Sequence, residues 1–274
     1  MEPERGRLRF LRHGNDRPRR HLSRGVSILP SLFTLANMFC GYACIVYAMR
    51  GEYETAAPFI GFAIVLDMLD GRIARMTGTT SAFGLELDSL ADVISFGLAP
   101  VVLTFAWGLS ELGRIGWAAG FLYLTCAAMR LARFNIQSPG QSDKRYFVGL
   151  PSPPAAGVAA ATVFAWPFPL TEPVRFSQIL SHAAPWQSLS ALLVMLVPGA
   201  LMVSTIRFRS FKTINFGWGP TYTPLLLFAI LFISIYAEPK ATLLVLSYGY
   251  LASAFIGLAW SRLRPRHPTP PEAG

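Results

Sequence analysis

Residues 56–92 read AAPFIGFAIVLDMLDGRIARMTGTTSAFGLELDSLAD, an apolar run that turns acidic at Asp67. Asp67 and Asp70 are three residues apart and Asp88 and Asp92 four apart, so each pair shares one face of a helix. The segment Thr77-Gly78-Thr79-Thr80-Ser81 between them is a polar turn. It is predicted to fold the second helix back antiparallel to the first, setting the two pairs face to face across a cleft. A carboxylate in hydrocarbon costs about 3 kcal/mol even on lenient insertion scales. Arg72 and Arg75 could pair with two of the acids in a buried ion network, which leaves the surplus acids repelling one another. A divalent cation is the simplest remedy. Carboxylate oxygens suit Mg²⁺ or Mn²⁺, and the lack of His or Cys in the motif argues against zinc.

The rest of the chain sets the acids in a membrane. Of 274 residues, 53% are hydrophobic and 14% charged, and the mean hydropathy is +0.42. The expected fold is all-α, a polytopic bundle of about eight spans. They fall at Ile28–Met49, Ala56–Arg75, Asp92–Leu109, Ile115–Arg133, Pro154–Leu170, Leu189–Ile206, Tyr222–Tyr236 and Ala241–Trp260. The fifth and seventh are weakest, because Pro167, Pro169 and Pro224 crowd their ends.

Charge tests this count. With eight spans, one side of the membrane holds both termini and all 24 basic residues except Arg50, Arg114, Arg175 and Lys240. By the positive-inside rule that side is cytoplasmic, and the acidic cluster faces it. The protein is expected in a membrane, specifically a bacterial inner membrane, with site and termini cytoplasmic. The net charge of +9 is mostly this topology signal. Nucleic-acid binding is a poor reading of it, although the Arg5–Arg24 tail could also meet anionic headgroups. The first apolar run is too long for a cleavable signal peptide and carries Asn37.

The organisation follows: a basic tail at 1–25, a membrane core at 26–210, additional spans at 211–262 and a disordered, proline-rich tail at 263–274. Cys40, Cys44 and Cys126 fall within spans, give no disulfide framework and read as packing residues. Gly249, Ser253 and Gly257 form a small-residue stripe in the last span. It suits either internal packing, the expected use, or a homodimer.

Small residues beside the acids extend the chemistry. Gly71 strips a side chain from the helix so that a ligand can approach, and Ala74 continues that groove. Arg75 is placed to meet phosphate oxygens, and Gly84 would let the third span approach closely. Carboxylates, metal, arginine and a bare groove suit a pyrophosphate. A spare carboxylate can take a proton from an attacking hydroxyl.

The full pattern Asp67-x-x-Asp70-Gly71-x-x-Ala74-Arg75-x8-Gly84-x3-Asp88-x3-Asp92 resembles, without departure, the signature of the CDP-alcohol phosphotransferase family. The resemblance implies displacement of CMP from a CDP-linked substrate by an acceptor hydroxyl. It implies that Asp67, Asp70 and Asp88 hold divalent ions and that Asp92 is the general base while touching a second ion. Gly71, Ala74 and Arg75 would line the CDP-lipid site, with Ser81 and Gly84 in the same set. The runs Ser81–Gly97, Thr34–Asn37, Ala132–Asn135 and Gly149–Pro154 are similar to the integral-membrane branch that uses serine. The similarity covers about residues 25–210, and six core spans are usual in the family, so the last two would be additions.

The expected reaction is transfer of a phosphatidyl group from CDP-diacylglycerol to L-serine, giving phosphatidylserine and CMP. Serine brings a carboxylate and an ammonium. Arg130, Arg133 and Asn135, at the end of the fourth span, fit that need, although arginines there could also simply snorkel to the interface. Lys144 and Arg145 are weaker candidates. Thr34 and Asn37 could bond the nucleotide or merely link helices, and the resemblance favours the nucleotide. Gly149–Pro154 could simply break the chain. A sister enzyme using glycerol 3-phosphate or inositol would want a different, for the phosphate more basic, pocket. A divalent-cation transporter would want carboxylates at mid-membrane and a polar route across, and the last four spans hold no acid.

Overall fold

The computed structural model describes residues 28–77, 81–136, 146–167, 186–204, 207–209 and 223–263. Eight helices appear there: α1 (Ile28–Met49), α2 (Tyr53–Thr77), α3 (Ala82–Leu112), α4 (Arg114–Ile136), α5 (Ser152–Ala165), α6 (Trp186–Val203), α7 (Thr223–Ala237) and α8 (Pro239–Leu263). Strands β1 (Tyr146–Val148) and β2 (Arg207–Arg209) pair antiparallel, with Phe147 opposite Phe208. The all-helical bundle stands, with this short ribbon as an addition. Helices α1, α3 and α4 are long and apolar enough to cross a membrane; α5, the later part of α6 and most of α7 are shorter apolar helices. The basic tail, the centre of the polar turn, Lys144, Arg145 and the proline-rich C-terminus lie outside the described residues.

Three expectations need correction. The third helix begins at Ala82, not Asp92, so Asp88 and Asp92 belong to one continuous element. Its start is set by Ser81, whose Oγ accepts the Gly84 backbone N–H at 2.9 Å, satisfying one of the orphan donors of a helix N-terminus. Gly84 therefore lies in a capped first turn. A Cβ there would meet only the Ser81 Oγ, at 3.0 Å, and no other helix. The close approach expected of it occurs at Gly41 on α1, where a Cβ would lie 2.8 Å from the Ser95 Cα. The fifth helix stops at Ala165, just before Trp166-Pro167, and spans 14 residues, about 21 Å at 1.5 Å per residue.

The packing order explains the site. Helices α1 and α2 lie against each other over most of their length; α3 crosses α1, and α5 packs on α2, α6 and α8. The centre is filled by Phe96, Leu103 and Trp107 of α3, Ile60 of α2, Tyr123 of α4 and Met195 of α6. Cys40, Cys44 and Cys126 are free thiols in this packing, as expected. Leu225, Phe228, Phe232 and Tyr236 leave α7 apolar outside, a surface suited to lipid rather than water.

Helix α3 is wound irregularly, with π-helical stretches at Val93–Leu98 and Phe105–Leu109. Pro100 has no N–H to give the Phe96 carbonyl four residues back. The buried Tyr123 hydroxyl donates to that carbonyl instead, at 3.3 Å. The first π stretch starts directly after Asp92, a common place for such a bulge at a functional site.

Between α4 and α5, Gly149 has φ +85° and a Cβ there would meet the Met202 carbonyl at 2.4 Å. Only glycine fits. Its neighbour Leu150 donates its N–H to the Leu201 carbonyl at 2.9 Å, so this segment docks on the end of α6 rather than only breaking the chain. On α8, a Cβ at Gly249 would meet nothing within 4 Å and Ser253 is exposed. The expected internal packing by that stripe is therefore not seen at these two residues.

Candidate active site

Helices α1, α2, α3 and α4 each deliver polar side chains to one place in an otherwise apolar bundle. Three residues apart on α2, Asp67 and Asp70 share a face, and α3 returns beside them carrying Asp88. One carboxylate oxygen from each of these three lies within 4.8 Å of the others. Asp70 is buried; Asp67 and Asp88 are half-buried. The Oδ1 of Asp88 is buried and has no hydrogen-bond partner among the described residues. A buried acceptor left this way costs about 1–3 kcal/mol or more when charged.

Oxygens facing each other across a Mg²⁺ ion lie about 4 Å apart, from ligand distances of 2.0–2.1 Å. One oxygen of each carboxylate lies within 4.8 Å of the others, near that span though wider than a bound ion would leave them; the donors are all oxygen, and the orphaned Asp88 oxygen supplies a ligand atom. The residues fit a hard divalent cation.

Asp92 lies one turn beyond Asp88, outside the group of three but within electrostatic reach of Asp67, Asp88, Asp70 and Arg130. Helix α1 anchors the acids from the other side. The Thr34 hydroxyl donates to Asp70 Oδ2 at 3.1 Å, and Asn37 Nδ2 donates to Asp92 Oδ1 at 3.4 Å. Ser95 Oγ donates to the Asn37 carbonyl at 2.9 Å, which the absent side chain of Gly41 permits. Thr34 and Asn37 thus meet carboxylates directly. Asn37 Oδ1 stays buried without a partner among the described residues.

One turn past Asp70, the Arg75 guanidinium lies over Gly71, 3.6 Å from where a Cβ would stand. Ala74 is half-buried on the same helix. Ser81 and Gly84 form the cap of α3 and are spaced away from the carboxylates by its first turns.

The three residues expected to meet serine separate. Arg130 is half-buried, its Nη1 donates to Ser152 Oγ on α5 at 2.7 Å, and Asp92 and Asp67 are its acidic neighbours. Arg133 is exposed. Asn135, also exposed, donates to Ser89 Oγ at 2.9 Å and so ties the end of α4 to α3 beside Asp88. Ser95, Ser152 and Tyr123 carry hydrogen bonds that sequence reasoning missed. Serines fully buried in apolar helices are the signal that could have found the first two.

Comparison with known proteins places this geometry. The sequence profile of the CDP-alcohol phosphatidyltransferase family matches residues 27–186. A Helicobacter pylori protein named CDP-diacylglycerol–serine O-phosphatidyltransferase is 36% identical over 230 residues, covering 84% of this chain and 90% of its own. An archaetidylserine synthase of Methanothermobacter thermautotrophicus is 34% identical over 182 residues, 66% of this chain and 69% of its own. A Bacillus subtilis CDP-diacylglycerol–serine O-phosphatidyltransferase is 35% identical over 128 residues, 47% of this chain and 71% of its own. With the signature aspartates gathered at one site in an apolar helical bundle, the chain belongs to the CDP-alcohol phosphatidyltransferase family, as an integral membrane protein.

Proposed function

We propose that this chain transfers the phosphatidyl group of CDP-diacylglycerol to the hydroxyl of L-serine, releasing CMP and forming phosphatidylserine. The observation that carries the reading is the group Asp67, Asp70 and Asp88 with Asp92 just outside it, in a chain whose relatives named above are two CDP-diacylglycerol–serine O-phosphatidyltransferases and an archaetidylserine synthase.

A Mg²⁺ or Mn²⁺ ion held by Asp67, Asp70 and Asp88 would neutralise the charge of the diphosphate and of the leaving CMP. The acyl chains stay in the bilayer. Arg75, over the bare surface of Gly71, offers a guanidinium to phosphate oxygens, with Ala74 continuing the groove. Thr34 and Asn37 hold the α1 side of this site, and Ser81 and Gly84 hold the start of α3 that borders it. Arg130, fixed by Ser152, offers a cation to the serine carboxylate, and Arg133 and Asn135 border the same approach from the cytoplasm.

Asp92 takes the proton of the serine hydroxyl. The serine oxygen forms its bond to the lipid-side phosphorus as the bond from that phosphorus to the CMP oxygen breaks in line. Asn37 occupies Asp92 Oδ1, leaving Oδ2 for the proton. The basic-residue asymmetry supports a site open to the cytoplasm, and relatives from Helicobacter pylori and Bacillus subtilis support a bacterial inner membrane as the setting.

The test is purified protein with CDP-diacylglycerol and Mg²⁺ or Mn²⁺, challenged in turn with serine, glycerol 3-phosphate and inositol. CMP release dependent on serine is the expected result. Release with another alcohol only would remove the serine assignment, and cation flux into vesicles without CMP release would favour a transporter.

A further inference from the structure

Arg130 is held on one side by Ser152, and its remaining neighbours include a residue from far along the chain. Besides Asp92, Asp67 and the buried Tyr123, the phenol of Tyr250 is within electrostatic range of it. Tyr250 sits on α8, beyond the residues that the family profile matches.

The packing of α8 explains how it gets there. Ser247 Oγ donates to the Gly157 carbonyl of α5 at 3.3 Å, and the Tyr248 and Thr162 hydroxyls bond at 2.8 Å. At the far end, Lys240 pairs with Glu54 and lies over the Phe164 ring. So as α8 advances from 240 to 247, its partners on α5 retreat from 164 to 157, and the helices are antiparallel. By the same register Tyr250, three residues beyond Ser247, lies opposite about residue 154 of α5, near Ser152, the anchor of Arg130. Tyr250 and Leu251 are half-buried and pack against the core. The faces of α8 thus divide: Ser247, Tyr250 and Leu251 turn inward, while Val245, Leu246 and Phe255 stay exposed.

We propose that α8 forms part of the acceptor-alcohol side of the site, with Tyr250 as a positioning residue that sets the Arg130 guanidinium. Ser152 holds the guanidinium from α5, and Tyr250 of α8 is its electrostatic neighbour. The last helix therefore does more than lengthen the membrane domain: it fixes the cation that meets the acceptor carboxylate. This rests on the reading of Arg130 as an acceptor contact.

The experiment compares Tyr250→Phe, Tyr248→Phe and Arg130→Gln with the unaltered full chain in lipid nanodiscs, with separate KM values for serine and CDP-diacylglycerol. Tyr248→Phe removes a bond that docks the same helix but lies away from Arg130. A serine KM raised about tenfold in Tyr250→Phe, with CDP-diacylglycerol KM within about twofold and Tyr248→Phe near the unaltered enzyme, is expected from the loss of one polar neighbour that orients the guanidinium. Equal shifts in the two tyrosine variants would mean mere helix docking and overturn the proposal. So would an unchanged serine KM in Tyr250→Phe while Arg130→Gln is impaired. An unchanged serine KM in Arg130→Gln overturns it at its base. If the unaltered enzyme uses another alcohol, the serine assignment falls separately, and the Tyr250 comparison is read on that alcohol's KM.

Discussion

Asn37 on α1 donates its side-chain amide to Asp92 on α3 at 3.4 Å, while Ser95, one turn after Asp92, donates to the Asn37 carbonyl at 2.9 Å. The two bonds close a ring between the helices. It forms where Gly41 lets their backbones meet, so the side chain proposed to accept the proton is held by packing as well as by polarity.

Asp92→Asn should lower turnover by about 10³-fold, within the range of general-base contributions. Binding of CDP-diacylglycerol should stay within about threefold, because the amide keeps the shape. CMP release and ligand-induced shifts in melting temperature measure the two. Near-normal turnover would remove the base assignment.

Asn37→Leu should cut kcat more than it raises either KM. It removes the donor to Asp92 and leaves a carboxylate oxygen without its partner, a loss of about 1–3 kcal/mol, or about fivefold to 150-fold in rate. A change in CDP-diacylglycerol KM alone would assign Asn37 to nucleotide binding instead.

Asp88→Asn should weaken Mn²⁺ binding, followed by the paramagnetic signal of the free ion, by at least about tenfold. Chelation should abolish turnover in the unaltered enzyme, and added Mg²⁺ or Mn²⁺ should restore it. Undiminished Mn²⁺ binding in this variant would take Asp88 out of the cation site.

Gly41→Ala puts a methyl group 2.8 Å from the Ser95 Cα, forcing α1 and α3 apart at a cost of about 1–3 kcal/mol. Gly249→Ala meets nothing within 4 Å. Melting in detergent should therefore fall clearly for the first and hardly at all for the second. Equal melting temperatures would contradict the close α1–α3 contact.

Tyr123→Phe tests the irregular winding of α3. It strips the donor from the Phe96 carbonyl, which Pro100 cannot serve. An unsatisfied buried acceptor costs about 1–3 kcal/mol, so melting should drop although the ring volume is nearly kept. An unchanged melting temperature would show that another group takes over.

The eight helices and the grouping of acids were readable in the chain because they depend on local quantities. Apolar runs set the spans, and three- and four-residue spacings put Asp67 with Asp70 and Asp88 with Asp92 on shared faces. Boundaries were less legible. Asp92 looks like the start of a span because it is charged, yet Ser81 caps the helix eleven residues earlier and the charged face is sheltered by α1. Gly84 and Gly41 look alike in sequence, and only the neighbouring helix decides which glycine is needed.

By itself the sequence determined a membrane bundle with an acidic signature, of a chemistry suited to a divalent cation, on its second and third helices, since hydropathy and helical periodicity act within a segment. The tertiary structure alone decided that Thr34 and Asn37 hold the carboxylates, that Ser152 fixes Arg130, and that α8 returns to the site through Tyr250. Those relations join residues far apart along the chain, and the packing of whole helices, which no local pattern encodes, brings them together.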